Sequence, residues 1–364
     1  MRFNFFKKIK TMKKRNFLRL FFCFSCVLFV VISPFYLFDK ENYRLNLNEY
    51  FNLESSTKVV LTLYNVETFE GGTNSRTNYL QQQAMKFNKK YNNCFVVIKT
   101  LTPDQLALNI RNNNLPDLYS FGVGVGNYIQ GFLSELENNS QIRSDLVIYG
   151  KKSGKLLAYP YILSGYSLIS YENYSQESEN LSSLVTTDTK KNILGLSLSN
   201  IFNGAEVLVQ NGITLSESDL LETTSSYDAY KSFLSKKTKS LLGTSRDLAR
   251  CKNRESLGTL GACEYNFLGG YSDLVQYISV VDSGNSVKTL YAKEFATFLT
   301  SKEAQKNLSD YGLFSTLKNN IYDEGYMLEF ENVLKQELTS VSAFISYEEM
   351  AQNLTISKGN LILN

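Results

Sequence analysis

From Leu20 to Phe38 the chain runs nineteen residues without a charge, and most of them are apolar. Every charged residue before that run is basic: Arg2, Lys7, Lys8, Lys10, Lys13, Lys14, Arg15 and Arg19. Such a run is long enough to span a bilayer or to act as a long export signal. A basic flank stays in the cytoplasm, so everything beyond Asp39 is expected outside the membrane. Residues 1–40 are therefore read as a basic tail plus signal or anchor, and the polar residues 41–56 as a spacer. No small-residue cleavage site follows the run, and Ser33-Pro34-Phe35 is a poor candidate. Cys23 and Cys26 raise lipidation, but Phe24-Ser25-Cys26 departs from the usual pattern and the apolar run continues past it. An uncleaved anchor ranks first, a cleaved signal second and lipidation third.

Beyond the spacer the hydrophobic pattern alternates between two periods. Lys58-Val59-Val60-Leu61-Thr62-Leu63-Tyr64 reads as a buried strand, with Gly71 and Gly72 marking a turn after it. Asn74 to Tyr91 reads as a helix, because Leu80, Ala84, Phe87 and Tyr91 fall on one stripe. Phe95 to Thr100 is a second strand. Thr102-Pro103-Asp104 opens a second helix, with threonine as cap and proline at the first position. Asp117 to Phe121 is a third strand. Strand, helix, strand, helix, strand predicts a parallel sheet covered by helices. Lys155 to Tyr161, Ser167 to Tyr171 and Leu274 to Val281 are further strand-like runs. The span from Glu172 to Ser240 reads mostly as helices and polar loops, and Tyr291 to Leu299 resumes helical spacing. Only Pro103, Pro116 and Pro160 interrupt the body, so no clean linker divides it. That favours an α/β fold of two lobes joined by several chain crossings.

Charge changes the picture little once the leader is set aside. Beyond Lys40 there are 29 basic and 34 acidic residues, a net −5 against +3 for the whole chain. A mildly acidic body without a basic stripe argues against nucleic-acid binding. The chain has no histidine and no tryptophan. Ser-His-Asp and Cys-His catalysis is therefore excluded, and so are histidine-containing zinc sites. Glu67 and Glu70 are the one tempting carboxylate pair, a geometry that glycoside hydrolysis would need. Two acids in one loop more often serve binding or solvation. Phe121-Gly122-Val123-Gly124-Val125-Gly126 is similar to a phosphate-cradling loop, but Asn127 stands where the third glycine belongs. The bland reading is a strand-to-helix loop that lets backbone approach closely. Cys94, Cys251 and Cys263 read as three apolar thiols, with a Cys251–Cys263 bridge as the alternative in an oxidising compartment.

The order of these segments resembles the extracellular solute-binding proteins of ABC sugar importers. Tyr64-Asn65 followed by Thr68-Phe69-Glu70-Gly71-Gly72-Thr73 resembles the first ligand loop after strand one. Leu115-Pro116-Asp117-Leu118-Tyr119-Ser120-Phe121-Gly122 is similar to the family's Pro-Asp-strand-Gly segment. Gly154 to Tyr161 is similar to the strand that leads into the hinge. Leu242-Gly243-Thr244-Ser245-Arg246-Asp247 resembles a ligand-side loop, and Phe295 to Gln305 the late helix. The resemblance runs from about Lys58 to Thr316. It departs from the family in lacking tryptophan and a clear lipobox.

The resemblance implies two α/β lobes of mixed sheets flanked by helices, a multi-strand hinge and a ligand cleft between them. It places 57–163 and 283–316 in the first lobe, and 164–282 and 317–364 in the second. It implies no catalysis and no cofactor. It implies a solute, a carbohydrate first, delivered to ABC permease subunits. The same fold serving a non-sugar solute or a sensor is the runner-up, and a carboxylate-dependent glycosidase using Glu67 or Glu70 is the enzyme rival. Tyrosines replace the missing tryptophan as sugar platforms, since each offers a flat apolar face and a hydroxyl. The residues expected to face the ligand are Tyr64, Glu67, Phe69, Glu70, Ser120, Tyr161, Tyr166, Thr244, Arg246, Tyr271 and Asp273. Core packing is the competing reading for every tyrosine in that set, and a salt bridge with Asp247 or Glu255 for Arg246.

Overall fold

The computed structural model describes residues 58–68, 75–172, 204–213 and 226–346. The apolar leader and the spacer lie outside these residues. Among the described residues no helix is long and apolar enough to cross a membrane.

The first lobe is built on a five-stranded sheet. Strand β1 (Val59–Val66) leads to helix α1 (Arg76–Lys90), strand β2 (Cys94–Leu101), helix α2 (Pro103–Arg111) and strand β3 (Leu118–Phe121). β1 pairs in parallel with β2 on one side and with β3 on the other. The predicted strand–helix alternation is therefore present. Local chemistry fixes the helix starts. The Ser75 hydroxyl accepts from the Asn78 N–H, and Tyr79, Leu80, Ala84 and Phe87 form the buried stripe of α1. α2 begins at Pro103 behind a reciprocal Thr102–Gln105 capping box.

Two short helices, α3 (Gly126–Ile129) and α4 (Ser144–Val147), precede a small hairpin of β4 (Lys151–Lys152) and β5 (Lys155–Leu156). The expected single strand over 155–161 is thus two strands. The N–H groups of Leu157 and Ala158 both turn to the Gly150 carbonyl, which breaks the run before β6 (Tyr159–Leu163). Strand β10 (Val275–Val280) lies between β3 and β6, antiparallel to both, completing the order β2-β1-β3-β10-β6. The sequence reading placed residues up to 282 with the second lobe; β10 instead pairs in the first sheet.

The second lobe carries a three-stranded antiparallel sheet, ordered β8 (Ser240–Thr244), β7 (Tyr166–Tyr171), β9 (Cys263–Leu268). Helices α5 (Gly204–Gln210), α6 (Ser226–Leu234) and α7 (Ser245–Ser256) belong to this part of the chain. β8 and β9 were not predicted: β8 was read as a loop, and β9 lacks a clean alternation. Helix α8 (Ser286–Leu299) starts earlier than its periodicity suggested, because the Asn285 side chain caps the Val287 and Lys288 N–H groups. α9 (Lys302–Lys306) and α10 (Gly325–Leu334) follow.

The two faces of the large sheet bury separate cores. Leu61, Leu63, Tyr161, Ile278 and Val280 pack with Tyr79, Phe87 and Phe295 on one face. Tyr64, Val66, Tyr119, Phe121 and Tyr277 lie on the other, in a core that continues to Phe314, Phe330 and Phe344. Strand alternation assigns each residue to its face. The lobes connect where β6 becomes β7 through Ser164–Gly165, where β9 returns to β10 through residues 269–274, and where the chain passes from α9 to α10 through residues 307–324. The crossings run side by side, since the Ser164 N–H donates to the Leu274 carbonyl at 2.9 Å. α10 packs on the second sheet through Phe330, whose ring stacks on Phe267 at 4.7 Å.

Candidate ligand-binding site

Strand order identifies a crevice before any side chain is considered. From β1 the chain passes to β2 on one side and then crosses to β3 on the other. The reversal lies between β1 and β3, and the carboxyl ends of such strands are where open α/β sheets hold ligands. Those ends are Val66-Glu67-Thr68 and Phe121-Gly122-Val123. They meet closely. A Cβ on Gly122 would sit 2.4 Å from Thr68 Oγ1 and 2.8 Å from Gln276 Nε2. Only glycine admits that approach without displacing a neighbour.

Gln276 comes from β10 and is wholly enclosed. Its Nε2 donates to Thr68 Oγ1 at 3.1 Å, while its Oε1 is buried with no hydrogen-bond partner among the described residues. An unpartnered amide oxygen in a crevice wall is a costly arrangement unless a ligand or water completes it. Beneath this wall lies a buried polar network. Ser120 Oγ donates to Asn65 Oδ1 at 3.0 Å and accepts from the Tyr161 hydroxyl at 2.8 Å. Arg76, at the start of α1, donates to Asn65 Oδ1 and to the Val66 carbonyl. The network fixes the end of β1 from below. From the other face, residues 341–344 close over the loop after β3. Tyr277 Oη donates to the Val341 carbonyl, the Ala343 carbonyl occupies the space a Cβ on Gly126 would take, and Phe344 packs against Phe121.

A second polar cluster sits at the hinge. Tyr166 Oη donates to Asp273 Oδ1 at 2.7 Å, and Tyr271 lies beside the same carboxylate. Burial, then the Asp273 charge, pushes both phenols well above their ordinary range. Ser164 and Ser245 hydroxyls meet at 2.7 Å, and Ser272 Oγ donates to the Ser164 carbonyl at 2.7 Å. The α7 N-terminus is held here by the Ser245 N–H on the Gly165 carbonyl.

Set against the expected site, the residues divide into groups. Tyr166, Tyr271 and Asp273 come together at the hinge, and Thr244 pairs in register with Tyr166. Thr244 has a structural task, its N–H and hydroxyl both donating to Asp247 Oδ2. Arg246 is half-buried, and among the described residues it makes neither of the expected salt bridges. Asp247 pairs with Arg250 and Glu255 with Lys252 instead. Ser120 and Tyr161 join each other, but in the core under α1, where the Tyr161 ring stacks on Tyr79. Tyr64 is buried edge-on against Tyr119 on the opposite face. For Tyr64 and Tyr161 core packing is the observed environment: strand parity turns both rings onto helix-covered faces. Glu67 is exposed at the crevice. Phe69 and Glu70 lie outside the described residues. Thr68, Gly122, Gln276 and Phe344 were not in the expected set. Gln276 carried a signal, as an amide inside an otherwise apolar strand.

The three cysteines among the described residues are free thiols, Cys94 and Cys251 buried and Cys263 half-buried. Among the described residues no three cysteine, aspartate or glutamate side chains gather to hold a metal ion.

No protein-family model matches the chain, and no curated protein matches it in sequence. Solved structures do match. The GacH receptor of Streptomyces glaucescens, known unliganded and with acarbose, superposes with a TM-score of 0.57 at 13% identity, over 84% of this chain and 93% of its own. Maltose-bound MalE3 of T. maritima gives 0.56 at 12% identity, over 83% and 100%. Iron-bound HitA of Pseudomonas aeruginosa gives 0.52 at 16% identity, over 83% and 99%. At these identities the likeness establishes architecture: the chain has the two-lobed α/β fold that these binding proteins share.

Proposed function

We propose that the chain is an extracytoplasmic solute-binding protein that captures a carbohydrate and presents it to the permease of an ABC importer. The observation that carries this reading is the crevice beside a paired-strand hinge. Crossings that lie side by side let the lobes rotate without breaking either sheet, so a ligand touching both lobes stabilises the closed form over the open one. The crevice wall carries neutral hydrogen-bonding groups, the Thr68 hydroxyl and the enclosed Gln276 amide, beside the exposed Glu67. These suit hydroxyl-rich solutes. The acarbose and maltose complexes of similarly folded proteins support the same choice. The iron-bound neighbour keeps a non-sugar solute as the second reading. In this account Tyr166, Tyr271 and Asp273 set the hinge, and the leader delivers the body outside the membrane, tethered or released.

A melting-temperature screen over mono- and oligosaccharides, amino acids and polyamines tests the reading. A true ligand stabilises the folded state by about 2.7 kcal/mol at a hundredfold excess over Kd. Stabilisation by a non-sugar alone overturns the carbohydrate assignment and leaves the binding role. Release of a chromophore from an aryl glycoside would instead establish the glycosidase rival.

A further inference from the structure

A cavity of about 490 Å³ lies far along the chain from the crevice residues, between α9 and the loop at 317–323. Three lysines line it: Lys302 and Lys306, one turn apart on α9, and Lys318 on the loop. Asp323 is the one carboxylate on the lining. Like charges at i and i+4 are unfavourable on a helix, so the pairing of Lys302 with Lys306 runs against local stability. Among the described residues none of the three ammonium groups has a hydrogen bond or ion pair.

The loop wall adds a second observation. Lys335, from the end of α10, donates to the carbonyls of Leu317 and of Asn319, the latter at 3.1 Å. The carbonyl oxygens of the loop are thereby turned to a buried cation. The Lys318 N–H faces the Gln141 carbonyl across the antiparallel bridge of Leu317 with Ile142, while the N–H groups of Asn319 and Asn320 find no acceptor among the described residues. Two adjacent free N–H groups on a cavity wall that also carries three lysines suit a bound anion. Lys335 itself stands behind that wall, next to Glu331 at 3.8 Å.

We propose that this cavity is a second binding site, separate from the solute crevice, for a small multivalent oxyanion such as a phosphate or pyrophosphate group. The group would be free in solution or carried on an anionic lipid headgroup. Lysine footprinting on the full chain separates these sources. The chain is acylated with an amine-reactive ester and each lysine is read by mass spectrometry, with Lys151 and Lys155 of the exposed hairpin as references. Pyrophosphate at ten times its Kd should slow acylation of Lys302, Lys306 and Lys318 about tenfold, because only the free pocket reacts. Selective slowing by phosphatidylglycerol vesicles, but not phosphatidylcholine vesicles, identifies the headgroup source. Calorimetric titration with pyrophosphate should give saturable heat that the K302Q/K306Q/K318Q variant abolishes while its urea midpoint is retained. Equal slowing at the reference lysines, or no slowing with either probe, overturns the proposal.

Discussion

Replacing Tyr161 tests the placement of the buried network. The side chain is fully enclosed, its ring stacks on Tyr79 with centroids 6.5 Å apart, and its hydroxyl meets Ser120 Oγ at 2.8 Å. Tyr161→Ala removes an aromatic ring from a core that collapses only partly, at about 3–5 kcal/mol. Loss of the hydroxyl's hydrogen bond adds about 0.5–1.5 kcal/mol. The sum is a large share of a typical domain stability of about 5–15 kcal/mol. Tyr161→Phe keeps the ring and should cost only the hydrogen bond, about 1 kcal/mol. Equilibrium urea unfolding of both variants, followed by circular dichroism, gives the two losses. An alanine variant within about 1 kcal/mol of wild type, with ligand binding weakened instead, would show that Tyr161 faces a cleft.

The remaining predictions address the crevice wall, the hinge and pH. Gly122→Ala pushes Thr68 and Gln276 apart and should destabilise by about 1–3 kcal/mol while weakening solute binding, read by urea midpoint and calorimetry. Full affinity in that variant would place the ligand elsewhere. Arg143→Ala removes the donors to the Leu334 and Gln336 carbonyls and leaves Asp145 without its ion pair, holding only the Leu338 N–H, so it should cost about 3–5 kcal/mol and raise amide exchange at 335–338. Unchanged exchange there would refute the clamp. Burial pushes Cys94 up to about 11, Cys263 up to about 12 and Cys251 higher still, from an ordinary 9.0. Raised folded values contribute stability that is intact below about pH 9 and lost as the pH climbs towards the folded values. Lys335, lowered to about 8 from 10.5, works with the opposite sign. Between pH 9 and 10 the three thiols and the buried phenols, Tyr166 and Tyr271 among them, outweigh the one lysine, so stability should fall as the pH rises, and less steeply in Cys94→Ala. A flat or rising urea midpoint over that range would contradict the burial of these thiols.

Much of the first lobe was legible in the sequence because its elements are long and their periods clean. Val59–Val66 and the stripe of α1 pack as their spacing demanded, and the Thr102-Pro103 start of α2 is a local signal needing no tertiary context. The second lobe was harder to read. β8 is five residues long and buried throughout, so it shows no alternation, and β9 gains its identity only by pairing with β7. Which side chain faces a crevice was not legible in the sequence, because it depends on strand parity and on what covers each face. Tyr64 and Tyr161 bear the chemistry of sugar platforms, yet helices cover both their faces. Gln276 matters through an unpaired oxygen that appears only once β10 is placed between β3 and β6.

The central claim is that the crevice binds a solute. It is tested most directly by isothermal titration of the full chain with a panel of mono- and oligosaccharides, followed by amino acids and polyamines. The account predicts one-to-one saturable binding of at least one carbohydrate with Kd below about 100 μM, near −5.5 kcal/mol. It also predicts a negative heat-capacity change as the lobes close. Saturable heat from a non-sugar alone would contradict the carbohydrate assignment, and no saturable heat from any member of the panel would contradict the binding role itself.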